Sequence, residues 1–233
     1  MPKPWSQLQA GKLRYWHNVA GSRLLGDTIS LTDAEWHAPS VLPGWSRAHV
    51  ATHLARDAET FIGVLEDPQA PFNPPSDLEK IKQLEVGADR SGIEVQEDLD
   101  RQIANLSVAS NAVPDWNAQF TPVDESYPLL FISLVRLHEV LIHHLDLGIG
   151  FSPDRISPEP ASWLLDFVLL KMSDATNPAV EVVSTEGLST IVGVGAPDRR
   201  VHSSDARLWA WLSGRIGPDW VEGAEGLQFE LLA

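Results

Sequence analysis

Apolar residues recur at helical spacing along the first part of the chain and at strand spacing only toward its end. A first helix is predicted over 5–25, where Leu8, Leu13, Trp16, Val19, Leu24 and Leu25 make a broad apolar face. Thr32 and Glu35 fit the reciprocal cap of a short helical turn. Ser46, just after the Pro43-Gly44 turn, fits the N-cap of a long helix over 47–65. Val50, Leu54, Phe61, Ile62 and Leu65 mark the buried face of that helix. Past the proline-rich stretch EDPQAPFNPPSD, helices are predicted over 77–90 and 93–109. VPDWNAQFTPVDESYP then reads as a second loop.

The segment 125–147 is predicted as one helix that stops near Gly148 or Gly150. It is apolar nearly all round, and a helix of that kind is buried. Yet Arg136, Glu139, His143 and Asp146 follow steps of three, four and three and make one polar ridge. Buried polar groups must be paired or coordinated, because leaving them bare costs several kcal/mol.

Glu139 and His143, four residues apart, aim at one point. His53, bordering the buried face of the 47–65 helix, is the third candidate. One carboxylate and two imidazoles are the ligand set of a catalytic zinc site, with coordination positions left open. The same residues also suit a buried polar network without metal, and His49, four residues before His53, offers a rival pairing. Asp146 suits a partner that orients an imidazole. Arg136 suits an ion pair with a nearby carboxylate, and His138 and His144 point to other faces. Trp45, after the turn, is placed to close an entry to such a site.

After FSPDRISPEP the texture changes. A helix is predicted over 161–173. VEVVST, STIVGVG and RRVHS read as short strands, and Ser204-Asp205 starts a helix through Trp211 to Gly214. Trp209 and Trp211 cannot both face one side of that helix. LQFELL alternates like a closing strand. The expected fold class is α+β: a helix bundle over 1–150, then a small α+β domain over 151–233.

The net charge of −15 opposes nonspecific binding to nucleic acid or anionic membranes. An anionic substrate therefore needs a local basic group. With no cysteine there is no disulfide framework, no thiolate metal site and no protein thiol nucleophile. Any thiol chemistry must use the thiol of a cofactor. No run reaches the ~18 apolar residues of a membrane span, and the N-terminus lacks the pattern of a secretory signal. The expectation is a soluble, cytoplasmic, monomeric protein.

GWSRAHVATHL, EVLIHHLDLG and WLSGR occur in one order. Together they resemble the mycothiol-dependent maleylpyruvate isomerase family, within the DinB-like metal-binding four-helix bundles. The matching positions are Gly44-Trp45, His53-Leu54, Glu139, His143, Asp146-Leu147-Gly148 and Gly214-Arg215, and the resemblance covers nearly the whole length. It implies that His53, Glu139 and His143 bind Zn2+ and that mycothiol is the cofactor thiol. It also implies that Arg215 binds cofactor or substrate and takes part in catalysis. An arginine of the isomerase falls at Lys80 here, and a lysine loses the fork that grips a carboxylate at two points.

The reaction implied is cis–trans isomerisation of maleylpyruvate to fumarylpyruvate. A thiolate adds to the cis double bond, the resulting single bond rotates, and the thiolate is expelled. The same ligand set also suits a mycothiol S-transferase acting on another electrophile, or a hydrolase using zinc-bound water. A regulatory module that holds a ligand without turnover is the non-enzyme alternative.

Overall fold

The computed structural model describes residues 9–122, 125–172 and 178–227. Two compact units are present, Leu8–Gly150 and a second that begins at Phe151. In the first, α1 (Ala10–Thr28), α3 (Arg47–Glu66), α5 (Gly92–Ala112) and α6 (Leu130–Asp146) form a four-helix bundle. Helix α3 packs on both α5 and α6, and α1 closes the ring against the same two. Leu13 and Leu24 of α1, Val50 and Leu54 of α3, Leu99 and Leu106 of α5, and Leu134 and Leu137 of α6 fill the interior. Each such side chain contributes about 1.5–3 kcal/mol on burial.

Local caps decide where several helices begin. Thr32 and Glu35 cap each other at α2 (Asp33–His37). Ser76 and Glu79 do the same at α4 (Asp77–Ala88). At α3 the Ser46 hydroxyl accepts from the His49 backbone N–H, and His49 Nδ1 accepts from the Ser46 N–H at 3.2 Å. An imidazole thus stands where a glutamate usually completes the box.

Two boundaries differ from the sequence pattern. The helix predicted from 125 begins only at Leu130. Upstream of it, β2 (Tyr127–Pro128) pairs antiparallel with β1 (Gln119–Phe120). Pro128 has no N–H to give a helix and holds Tyr127 extended. Helix α1 continues to Thr28, whose hydroxyl donates to the Leu24 carbonyl at 2.9 Å. Positions 5–8 of the predicted first helix, Leu8 included, lie outside the described residues.

Asp98 of α5 is 1% exposed. It accepts from Arg56 of α3 at 2.5 Å, from Arg90 at 2.8 Å, and from Arg101. Burial alone would raise its carboxyl, but the Arg90 bond and the cations of Arg56, Arg90 and Arg101 hold it below the usual range. This cluster locks α3 to α5. At the other flank, a Cβ on Gly87 of α4 would stand 2.2 Å from Thr52 Cγ2 of α3, so only glycine permits that approach.

The second unit holds α7 (Pro158–Lys171), β3 (Pro178–Ser184), β4 (Ser189–Val192), β5 (Val194–Ser203) and α8 (Asp205–Leu212). The sheet order is β4-β3-β5. Strands β3 and β4 are antiparallel, with Val180 opposite Val192; β3 and β5 are parallel, with Val182 opposite Val201. Gly193, at φ 92°, separates β4 from β5. Helix α7 starts at Pro158 rather than at 161, because proline is tolerated in a first turn. Trp209 and Trp211 are both buried, since α8 is covered by α7 as well as by β3 and β5. The predicted closing strand LQFELL lies outside the described residues beyond Leu227.

Replacing Asp98 by alanine removes the acceptor shared by three partly exposed guanidinium groups and is expected to cost about 1.5–3 kcal/mol of unfolding free energy. Urea denaturation of Asp98→Ala checks this, and a loss below about 1 kcal/mol would contradict it.

Candidate metal centre

Helices α3 and α6 pack against each other, and the three candidate ligands lie on their common face. His53 Nε2 stands 3.6 Å from Glu139 Oε2, and His143 Nε2 stands 3.3 Å from the same oxygen. The two imidazole rings meet edge to face with centroids 4.7 Å apart. All three ligand atoms lie within 4.8 Å of one another. These gaps are longer than good hydrogen bonds. Tetrahedral ligands at zinc distances of about 2.0–2.2 Å stand about 3.3–3.6 Å apart, so the donor set fits such an ion.

Each member of the α6 ridge has a partner. His143 Nδ1 lies 2.9 Å from Asp146 Oδ2, which leaves Nε2 turned toward Glu139. Asp146 is fully buried. Arg136, also buried, donates from Nη1 to Asp57 Oδ2 at 2.8 Å. His53 is the most open member of the triad, with its side chain 35% exposed against 17% for Glu139 and 10% for His143. The Trp45 indole stands beside it, ring centroids 5.6 Å apart.

The electrostatics follow from this packing. Burial alone would raise the Glu139 carboxyl, but the facing imidazoles of His143 and His53 hold it well below the usual range. Burial alone would lower His143; Asp146 and Glu139 outweigh it and raise the imidazole above its ordinary value. Burial pushes the Asp57 carboxyl up. The Arg136 cation pulls it back, and the Glu139 carboxylate adds to the rise.

Asp57 escaped the sequence analysis, although its signal was present. It follows His53 by four residues, the spacing that joins Glu139 to His143. His49 takes part in the α3 cap, and its Nε2 lies 3.6 Å from Glu85. His144 is buried with Nε2 3.2 Å from Asp27. Lys80 lies on the exposed part of α4, where its ammonium is 3.4 Å from Asp77. Arg215 belongs to the second unit. It follows α8, donates from Nη1 to the Ser213 carbonyl at 2.8 Å, and lines a cleft of about 330 Å³ with Trp211, Ile216 and Pro218. Among the described residues, no helix is long and apolar enough to cross a membrane.

The model of the mycothiol maleylpyruvate isomerase N-terminal domain matches residues 19–148. A crystal structure of a mycothiol-dependent maleylpyruvate isomerase superposes with a TM-score of 0.87, at 18% identity, over 98% of this chain and 99% of that one. A histidine-to-alanine mutant of the mycothiol-dependent isomerase gives the same values. A comparison with curated proteins finds none that matches. The matched segment carries His53, Glu139 and His143 and spans more than half of the chain, which therefore belongs to the mycothiol maleylpyruvate isomerase N-terminal domain family.

Proposed function

We propose that this protein is a zinc- and mycothiol-dependent enzyme that isomerises maleylpyruvate to fumarylpyruvate by thiolate addition and elimination. The convergence of two imidazole nitrogens and one carboxylate oxygen within 4.8 Å carries the reading. Family membership supports the thiol and the substrate class. His53, Glu139 and His143 would hold the ion. When bound, zinc supplies the Lewis acidity that keeps a thiol ligand ionised at neutral pH.

The remaining work falls to the chain's own groups. Glu139, held ionised, is ready to ligate without first losing a proton. Asp146 fixes the His143 ring so that the lone pair of Nε2 faces the centre. Trp45 presents an apolar wall at the open side, next to His53. Arg215 is proposed, on the family resemblance alone, to bind substrate or cofactor and to take part in catalysis. Lys80 is assigned the second such contact, as a point charge rather than a fork.

Glu139→Gln is expected to lose both the bound zinc and mycothiol-dependent turnover of maleylpyruvate. Metal analysis beside a turnover assay checks this, and full turnover without metal would sink the mechanism. Asp146→Ala is expected to weaken zinc binding by about 10–100-fold, measured by competition with a chelator. An unchanged affinity would remove the orienting role. Zinc binding should also weaken as pH falls. A proton on His143 competes with the ion, and its raised pKa starts that competition above the ordinary imidazole value of about 6.5. Zinc affinity that stays flat from about pH 8 to about pH 6 would contradict this.

A further inference from the structure

We propose that Arg136 is a positioning residue that withholds Asp57 from the metal centre and so keeps a coordination position free for a small-molecule ligand. The inference rests on the zinc reading above. It starts from a carboxylate in a ligand's position that does not join the ligands.

Asp57 follows His53 on α3 by the same four residues that separate Glu139 from His143 on α6. That spacing puts two side chains on one face, one turn apart, and lets both reach one point. A carboxylate there is an effective ligand for a divalent ion. Yet the converging cluster comprises His53, Glu139 and His143 and leaves Asp57 out. Its Oδ2 is taken instead by Arg136 Nη1 at 2.8 Å.

The clamp is built to hold. Arg136 comes three residues before Glu139 on α6, one turn from the ligands, and is only 1% exposed. Its Nε and Nη2 have no hydrogen-bond partner among the described residues, so Asp57 is the carboxylate that its guanidinium grips. Releasing Asp57 would strand a buried cation, which is strongly unfavourable. His17 of α1 is buried and kept neutral, its pKa lowered to about 3 by burial and by the Arg136 charge. It therefore brings no second positive charge to compete for the carboxylate.

Three protein ligands with an open position make a catalytic centre, whereas four make a closed structural one. On this chain the difference is one aspartate, and Arg136 decides it.

The test uses the full-length, zinc-loaded protein and Arg136→Met, with two readouts. One is the rate of zinc transfer to a chromogenic chelator. The other is the mycothiol dissociation constant by calorimetry. Freed Asp57 is expected to slow zinc transfer by about tenfold and to weaken mycothiol binding by about tenfold, the scale on which ligand-supporting groups act. Adding Asp57→Asn to Arg136→Met is expected to return both to near wild type. Arg136→Gln keeps a hydrogen-bonding side chain in the same space and is read in the same way should Arg136→Met not fold.

A folded Arg136 variant with wild-type zinc transfer would overturn the proposal. So would a double variant as impaired as the single one. Wild-type protein that takes zinc but binds no mycothiol would overturn the functional reading, and the chelator comparison would still decide the clamp. Wild-type protein that takes no zinc would overturn both.

Discussion

Helix α6 is buried on nearly every side, and a ridge of four polar residues runs along one face. Arg136, Glu139, His143 and Asp146 leave water when the bundle closes, and each must find a partner there. The partners come largely from α3 and from the ridge itself: Asp57 for Arg136, His53 for Glu139, and Asp146 for His143. The packing of α3 on α6 is therefore fixed by polar pairing as well as by apolar fit. A slip of one helix along the other would leave a buried guanidinium and a buried carboxylate bare.

Other features of the bundle hold α3 in that register. The Ser46–His49 cap sets where the helix starts. Asp98 ties its middle to α5 through Arg56. Thr52 receives α4 at Gly87. The Asp98 and Gly87 contacts join α3 to α5 and α4, while His53 and Asp57 on α3 meet Glu139 and Arg136 of α6. Stability comes mostly from leucine, valine and alanine packing, while the polar groups specify one arrangement of it. The cost is a concentration of charge in a dry interior, balanced so that Asp57 faces Arg136 and Asp146 faces a histidine.

Much of this was legible in the sequence because it is local. The caps at Thr32 and Ser46 depend on residues three apart, and the α6 ridge on steps of three and four. The meeting of His53 with Glu139 and His143 was suggested by residue type and needed the bundle to bring it about. What escaped notice depends on which residues face each other across helices. Asp57 has a ligand's spacing, and only its contact with Arg136 shows that it is held away. His49 looked like a rival ligand because histidine is an unusual third residue of a capping box. Helical periodicity carried the start of α6 too far upstream, because the apolar pattern outweighed the local effect of Pro128. Trp209 and Trp211 could both be buried because α8 is covered by a helix and a sheet together, which periodicity along one helix does not reveal.

The central claim is that the donor set on α3 and α6 holds a metal ion whose open position takes a thiol. The absorption spectrum of the cobalt-substituted protein, titrated with mycothiol, tests it most directly. The account predicts ligand-field bands when cobalt is loaded, followed by a new near-ultraviolet sulfur-to-metal charge-transfer band that saturates as the thiol is added. A protein that takes up no cobalt, or a cobalt spectrum unchanged by saturating mycothiol, would contradict it.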